Sequence, residues 1–246
     1  MRCCCMDGIF LGTAGWSVPR DVADRFPAEG SGLERYASHF PAVEINSSFH
    51  RPHRPSTWQR WHDSVPDGFR FSVKVPKEIT HVRKLVGCSE ALGRFIEHVQ
   101  ILGEKLAVLL IQLPPKLEFD SDVASRFLDT LRAQSAVELA VEPRNPSWFT
   151  PETKAFLRDQ RVTRVAADPA IRPEAAVPGG SDHLSYWRLH GSPVIYRSSY
   201  EDRLDQIANA LRADAAAGRP VWCIFDNTAS SAGGRDASNL MRRLSG

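Results

Sequence analysis

Glu44, Lys74, Glu142, Arg188 and His190 stand at or near the ends of short apolar runs: AVEIN, FSVK, ELAVEPR and YWRLH. Gln112 closes a further run, VLLIQ, and Asp226 and Asn227 close VWCIFDN. These side chains offer two kinds of chemistry. Lys and Arg hold a phosphate or carboxylate, Arg as a planar fork and Lys as a point charge. A carboxylate or an imidazole moves a proton. The leading expectation is an enzyme acting on a small anionic substrate. Lys74, Arg144 and Arg188 would bind the anion. Glu142 or Glu44 would act as general base with His190 as proton partner, and Gln112 and Asn46 would orient the ligand. Lys74 also has the makings of a Schiff-base nucleophile if neighbouring guanidinium groups lower its pKa. The plainer reading is a phosphate-binding or salt-bridged lysine. For the set as a whole, the alternative is mutual neutralisation at strand ends, since a lone buried charge is costly.

The elements that must position these groups follow from the pattern. Eight apolar runs alternate with helix-like segments, which argues for a parallel sheet. Strands are expected over 9–13, 42–46, 69–75, 108–113, 137–142, 163–167, 185–190 and 220–225. Helices are expected near 33–39, after Pro55, and over 89–104, 121–134, 151–160, 201–217 and 237–244; residues 169–182 read as a loop. Eight units in this length favour a TIM-type (β/α)8 barrel over an open doubly wound sheet, which would want a glycine-rich phosphate loop after the first strand. Gly12-Thr13-Ala14-Gly15 lacks that spacing.

Side chains alternate across a strand. If Lys74 points into the barrel, so does Ser72, while Phe71 and Val73 face the helices. The same parity turns inward Glu44 with Asn46, Leu110 with Gln112, Ala140 with Glu142 and, if the strand extends far enough, Arg144, and Arg188 with His190. It turns Leu139, Val141, Trp187 and Leu189 outward. The C-terminal strand ends of such a barrel converge on one mouth, so these polar groups meet there, with Asp168 and Asp226 as further members. Glu44, Glu142, Asp168, His190 and Asp226 could hold a divalent ion, but no HxH or HExxH motif supports this and the nearby cations oppose it; no metal site is assigned. His81 sits in a loop after the third strand, within reach of the mouth or simply solvated. Tyr196 and Tyr200 flank the loop after the seventh strand as a lid or as packing. Trp16, Trp58, Trp61 and Trp148 read as mouth lining for a planar ligand or, more commonly, as packing.

Composition bounds the partners. The chain has 246 residues, 42% of them hydrophobic, and a formal charge of +2. That suits one domain with an ample core and gives no support for general polyanion binding. No apolar stretch reaches the roughly 20 residues that span a bilayer, and the start lacks the apolar core of a signal peptide; the chain reads as cytoplasmic. Residues 1–8 read as a flexible tail and 9–246 as the barrel domain. The adjacent Cys3, Cys4 and Cys5 suggest a redox-sensitive tail rather than a metal site, because no zinc-type spacing follows. No pattern assigns a cofactor or an oligomeric state.

At this point the chain resembles the DUF72, or YecE-like, family over nearly its whole length. The matching segments are GTAGWS, VEINSSFHRP, FRFSVKVPKEITH, LLIQLPP, AVEPRNPSW, YWRLHG followed by YRSSY, and FDNTASSAGGRDASNL. The resemblance implies a TIM-type barrel and brings no established reaction. Its polar pattern falls on Glu44, Asn46, Lys74, His81, Gln112, Glu142, Arg144, Arg188, His190, Tyr196, Tyr200 and Asn227. This sequence departs from the pattern at His50, more often tyrosine, and at Asp226, frequently asparagine. Two other function classes stay open. One is nucleic-acid binding or metal-dependent phosphodiester cleavage, with Arg and Trp contacting backbone and bases. The other is a ligand sensor or scaffold without turnover.

Overall fold

A computed structural model describes residues 8–245 of the chain. Cys3, Cys4 and Cys5, with the expectation placed on them, lie outside the described residues. The strands are β1 (Ile9–Thr13), β2 (Ala42–Ile45), β3 (Arg70–Lys74), β4 (Leu106–Gln112), β5 (Glu138–Glu142), β6 (Val162–Arg164), β7 (Ala166–Asp168), β8 (Gly179–Gly180), β9 (Ser185–Leu189) and β10 (Val221–Phe225). β2 to β6 pair in sequence order, and β7, β9, β10 and β1 pair in that order; all these pairings are parallel. β6 and β7 are two halves of one strand broken at Val165. The first half pairs with β5 and the second with β9, which carries the sheet round the corner. The expected sixth strand is therefore present but split. β8 is a short antiparallel addition to β6.

The ring closes between β1 and β2 through one bridge, Ala14 with Glu44, and the bond from Gly15 N to Glu44 O at 2.8 Å. A side chain supplies what the ladder lacks here. The Tyr36 hydroxyl donates to Ala42 O at 3.0 Å and accepts from Thr13 N at 2.8 Å. Gly12 permits the approach: a Cβ there would stand 2.1 Å from Ala42 O. The result is a single-domain TIM-type (β/α) barrel.

The helices are α1 (Gly32–Ala37), α2 (Ser47–His50), α3 (Pro55–Asp63), α4 (Ser89–Val99), α5 (Ser121–Arg132), α6 (Pro151–Asp159), α7 (Leu204–Ala216) and α8 (Ala232–Ser245). Local sequence explains their starts. Ser31 and Glu34 form a capping box, Asp120 accepts from two backbone N–H groups, and Pro55 and Pro151 occupy first-turn positions. Gly218, at φ 79°, follows α7 as the expected stop. The expected long helix over 89–104 ends earlier as α-helix, at Val99, and continues as a 3-10 segment, Gln100–Lys105, around Gly103 at φ 54°. The expected loop over 169–182 carries a 3-10 turn, Pro173–Ala176, as well as β8.

Strand parity divides the core in two. Ala42, Val108, Leu110, Ala140, Val165, Tyr186, Trp222 and Ile224 fill the barrel interior. Val43, Ile45, Phe71, Val73, Leu109, Ile111, Leu139, Val141, Leu189 and Phe225 pack against the helices. This is the alternation expected from the sequence. It fixes which strand residues reach the mouth.

Candidate functional site

The deepest polar layer is built on Arg188, which is wholly buried. Its Nε and Nη2 bond Glu44 Oε2 and Oε1 at 3.0 and 2.7 Å. Its Nη1 bonds Glu142 Oε2 at 2.5 Å, and Nη2 also reaches Asp226 Oδ2 at 3.0 Å. Three carboxylates from β2, β5 and the end of β10 thus converge on one guanidinium. Tyr186, one inward step earlier on β9, donates or shares its hydroxyl with Glu44 Oε2 at 2.9 Å and Ser72 Oγ at 2.8 Å. Arg188, expected to bind an anion, shows no surface to the mouth. Glu44, expected as a possible base, has both oxygens engaged below it. The pair acts as the charged floor of the site.

Above this floor, Glu142 Oε1 accepts from Gln112 Nε2 at 3.0 Å and from Arg144 Nε and Nη2 at 3.2 and 3.1 Å. Burial alone would raise its pKa, but Arg188, His190 and Arg144 together hold it well below the usual carboxylate range. Asp226 is likewise lowered, because Arg188 and His190 outweigh its burial. Both are therefore firmly anionic and poorly suited to accept a proton near neutral pH. The expectation of Glu142 as general base does not fit this surrounding.

His190 is placed differently. Nδ1 lies 2.9 Å from Asp226 Oδ2, while Nε2 comes to 3.3 Å of Glu142 Oε1 without the alignment of a hydrogen bond. Burial opposes the imidazolium, yet the adjacent carboxylates raise its pKa above the ordinary 6.5. The Tyr196 ring stands edge-on, 6.1 Å from the imidazole. Tyr196 itself is partly exposed and left-handed at φ 66°, an uncommon backbone for a bulky residue.

Lys74 faces the same space from β3. It is buried, and its Nζ lies 4.2 Å from the centroid of the Phe49 ring. No carboxylate lies within ion-pair distance of it among the described residues. Burial and the charge of Arg188 lower its pKa, against a partial restoring effect of Glu44, Glu142 and Asp226. His81 packs edge-on against Phe49 at 5.0 Å and accepts or donates with Thr80 Oγ1 at 2.9 Å. Its pKa is lowered by burial, Lys74, Lys77 and Arg144, so it stays neutral. Asn46 reaches Asp226 Oδ1 at 3.5 Å, leaving its own Oδ1 buried without a partner among the described residues.

Three expected members turn away. Asp168 shares the parity of Leu189, its register partner, and points outward to Arg203 at 2.7 Å. Tyr200 is buried beneath the loop, donating to Asp168 Oδ1 at 2.8 Å and accepting from Gly191 N at 2.9 Å. Asn227 gives its Nδ2 to Ser198 O at 2.9 Å and Asp236 Oδ2 at 2.8 Å. These groups hold the loop over 191–200 in place. Asp236 on α8 is the hub, since it also takes Tyr200 N at 2.8 Å and Ser199 Oγ at 2.6 Å. The sequence reading missed Asp236 and Tyr186. Parity with Arg188 was a signal for Tyr186; nothing local marked Asp236. Trp58, Trp61 and Trp148 are buried, and Trp16 lies edge-on to Trp61 at 5.1 Å.

Among the described residues, no group of three or more His, Cys, Asp and Glu side chains is set to hold a metal ion. In this cluster the carboxylates already surround a guanidinium.

Fold and site together define a TIM-type α/β barrel with a charge-dense polar layer at its C-terminal mouth. The chain belongs to the family described as "Protein of unknown function DUF72", whose model matches residues 10–246. It is 30% identical to UPF0759 protein YecE of Escherichia coli K12 over 142 residues. That match covers 57% of this chain and about half, 50%, of the relative's length. A DUF72 structure from Thermotoga maritima superimposes with a TM-score of 0.79 at 24% identity, covering 97% of this chain and 99% of that one. A sugar phosphate isomerase/epimerase from Parabacteroides distasonis shares the fold at a TM-score of 0.52 and 12% identity, with 96% and 93% covered. No helix among the described residues is long and apolar enough to cross a membrane.

Proposed function

We propose that the mouth binds a small phosphate- or carboxylate-bearing molecule and moves a proton on it. The observation that carries this reading is Lys74: a buried ammonium with a ring beneath it and no carboxylate at ion-pair distance among the described residues. Its carboxylate neighbours act on it only from beyond ion-pair distance. Glu44, Glu142 and Asp226 are turned to Arg188. A buried charge left in this condition is stabilised by an anion arriving from solvent. Lys74 supplies the point charge, and Arg144, whose side chain is 32% exposed, supplies a planar fork.

His190 is the proton carrier in this account. Nδ1–H donates to Asp226, so the proton that the imidazolium can pass to the ligand is the one on Nε2. Glu142 keeps the imidazolium stable and orients Gln112 and Arg144. Nε2 is enclosed, with the Tyr196 ring edge-on to the imidazole. Asn46 Oδ1 and His81 complete the ligand's polar surroundings. The likeness to an isomerase/epimerase is one of fold; the reading rests on the residues of this mouth.

The test is proton exchange. A panel of small phosphorylated and carboxylated carbonyl compounds is incubated with the protein in D2O and followed by NMR. Deuterium incorporation by the wild-type protein, reduced about a hundredfold or more in His190→Asn, is expected. Equal incorporation by both proteins, or none with any compound, would overturn the catalytic part of the reading.

A further inference from the structure

A cavity with a volume of about 590 Å³ adjoins the mouth at Phe49. It opens between the segment around α2 and α3 on one side and the turn after β3 with α4 on the other. Its apolar wall is formed by Phe49, Trp58, Phe95, Ile79, Pro52 and Pro76, with His50, His53 and His98 among the polar lining residues. This size and lining fall within the range of small-molecule sites. Trp58 is buried, and its Nε1 has no hydrogen-bond partner among the described residues. A buried indole N–H normally finds one.

The charges lining the cavity are one-sided. Glu78 is neutralised by Arg83 at 2.9 Å, and Arg94 is paired with Glu90. Arg51 and Lys77 remain as lining cations with no ion-pair partner among the described residues. Aromatic walls with two unpaired cations select an apolar body bearing a negative group. Phe49 belongs both to this cavity and to the Lys74 contact. The cavity does not contain Lys74, Arg144 or His190.

We infer that this cavity is a separate ligand site for a planar aromatic or similarly apolar carboxylate, adjoining the mouth through Phe49. The inference is independent of the reading of the mouth.

The probe is 2-naphthoate, titrated calorimetrically into the full-length protein, with neutral 2-naphthamide as its control. Saturable binding of naphthoate is expected, and the amide should bind at least about fivefold more weakly. Val82→Trp alters an exposed cavity-lining position, 68% accessible, and should weaken binding about tenfold or more without disturbing the core. Joint replacement of Arg51 and Lys77 by Ala should bring naphthoate down to the level of the amide. Lys74→Met should leave naphthoate binding intact even if the mouth loses its anion. Absence of saturable binding, or binding unchanged in both Val82→Trp and the Arg51/Lys77 variant, would overturn the inference. Equal loss in Lys74→Met would move the site to the mouth and equally overturn it.

Discussion

Arg188 Nη2 lies 2.7 Å from Glu44 Oε1, and neither side chain has any exposed surface. One residue comes from β9 and the other from β2, so the pair ties opposite parts of the barrel wall through its interior. Glu142 and Asp226 complete the set. The consequence is that the charges nearest the barrel axis are spent on one another. Those left for a ligand lie one layer higher, on Lys74, Arg144 and His190.

Arg188→Ala should therefore act on stability first. It leaves Glu44, Glu142 and Asp226 without their shared counter-ion. Urea unfolding should show a loss of about 3–5 kcal/mol. A loss below about 1 kcal/mol would mean that the carboxylates find other partners.

The β1–β2 seam gives a second prediction. Tyr36→Phe removes one hydroxyl and strands two buried backbone groups, Thr13 N and Ala42 O. The expected loss is about 1–3 kcal/mol, measured by the same unfolding experiment. No loss would show that the seam is held by its backbone bridge alone.

The raised pKa of His190 makes stability depend on pH in a definite direction. Its contribution is complete below the ordinary value of 6.5 and disappears as pH rises through the higher folded value. Glu142 and Asp226 have the opposite sign. Their contribution is present above the ordinary values of 4.5 and 3.8 and is lost as pH falls through the lowered ones. Comparing wild type with His190→Asn across this range isolates the histidine. The difference in unfolding free energy should shrink as pH rises from neutrality; a constant difference would contradict the raised pKa.

Asp236→Ala should free the loop over 191–200 without opening the barrel. Its carboxylate takes Asn227 Nδ2, Tyr200 N and Ser199 Oγ. Hydrogen exchange should accelerate at Tyr200 and its loop neighbours while β9 and β10 stay protected. Uniform acceleration would assign Asp236 to global stability instead.

The barrel was legible because its strands alternate cleanly. Phe71 and Val73 against Ser72 and Lys74 already state which face is which, and the two cores obey that division. Asp168 was expected at the mouth from its place at a strand end, but alternation from the inward Val165 turns it outward with Leu189. The start of α8 was missed for another reason. Gly233 and Gly234 precede the expected start at 237 yet lie in the first turn of α8, where a Cβ would meet Asn227 Oδ1 at 2.9 Å or Pro19 Cγ at 2.6 Å. Close packing, not turning, requires them.

The site was legible as a set of residues and not as a set of roles. Nothing in the strand endings distinguishes Arg188, consumed by carboxylates, from Arg144, which remains partly open. That division depends on depth along the barrel axis. Tyr200 and Asn227 carry the same lesson, since their partners Asp168 and Asp236 are 32 and 9 positions away in sequence.

The central claim is that Lys74 awaits an anion, and calorimetric titration with inorganic phosphate tests it most directly. Wild-type protein should show saturable binding near neutral pH, weakening as pH rises through the lowered lysine pKa. Lys74→Met should keep its fold and lose affinity by about tenfold or more. Undiminished phosphate binding in a folded Lys74→Met protein would contradict the account.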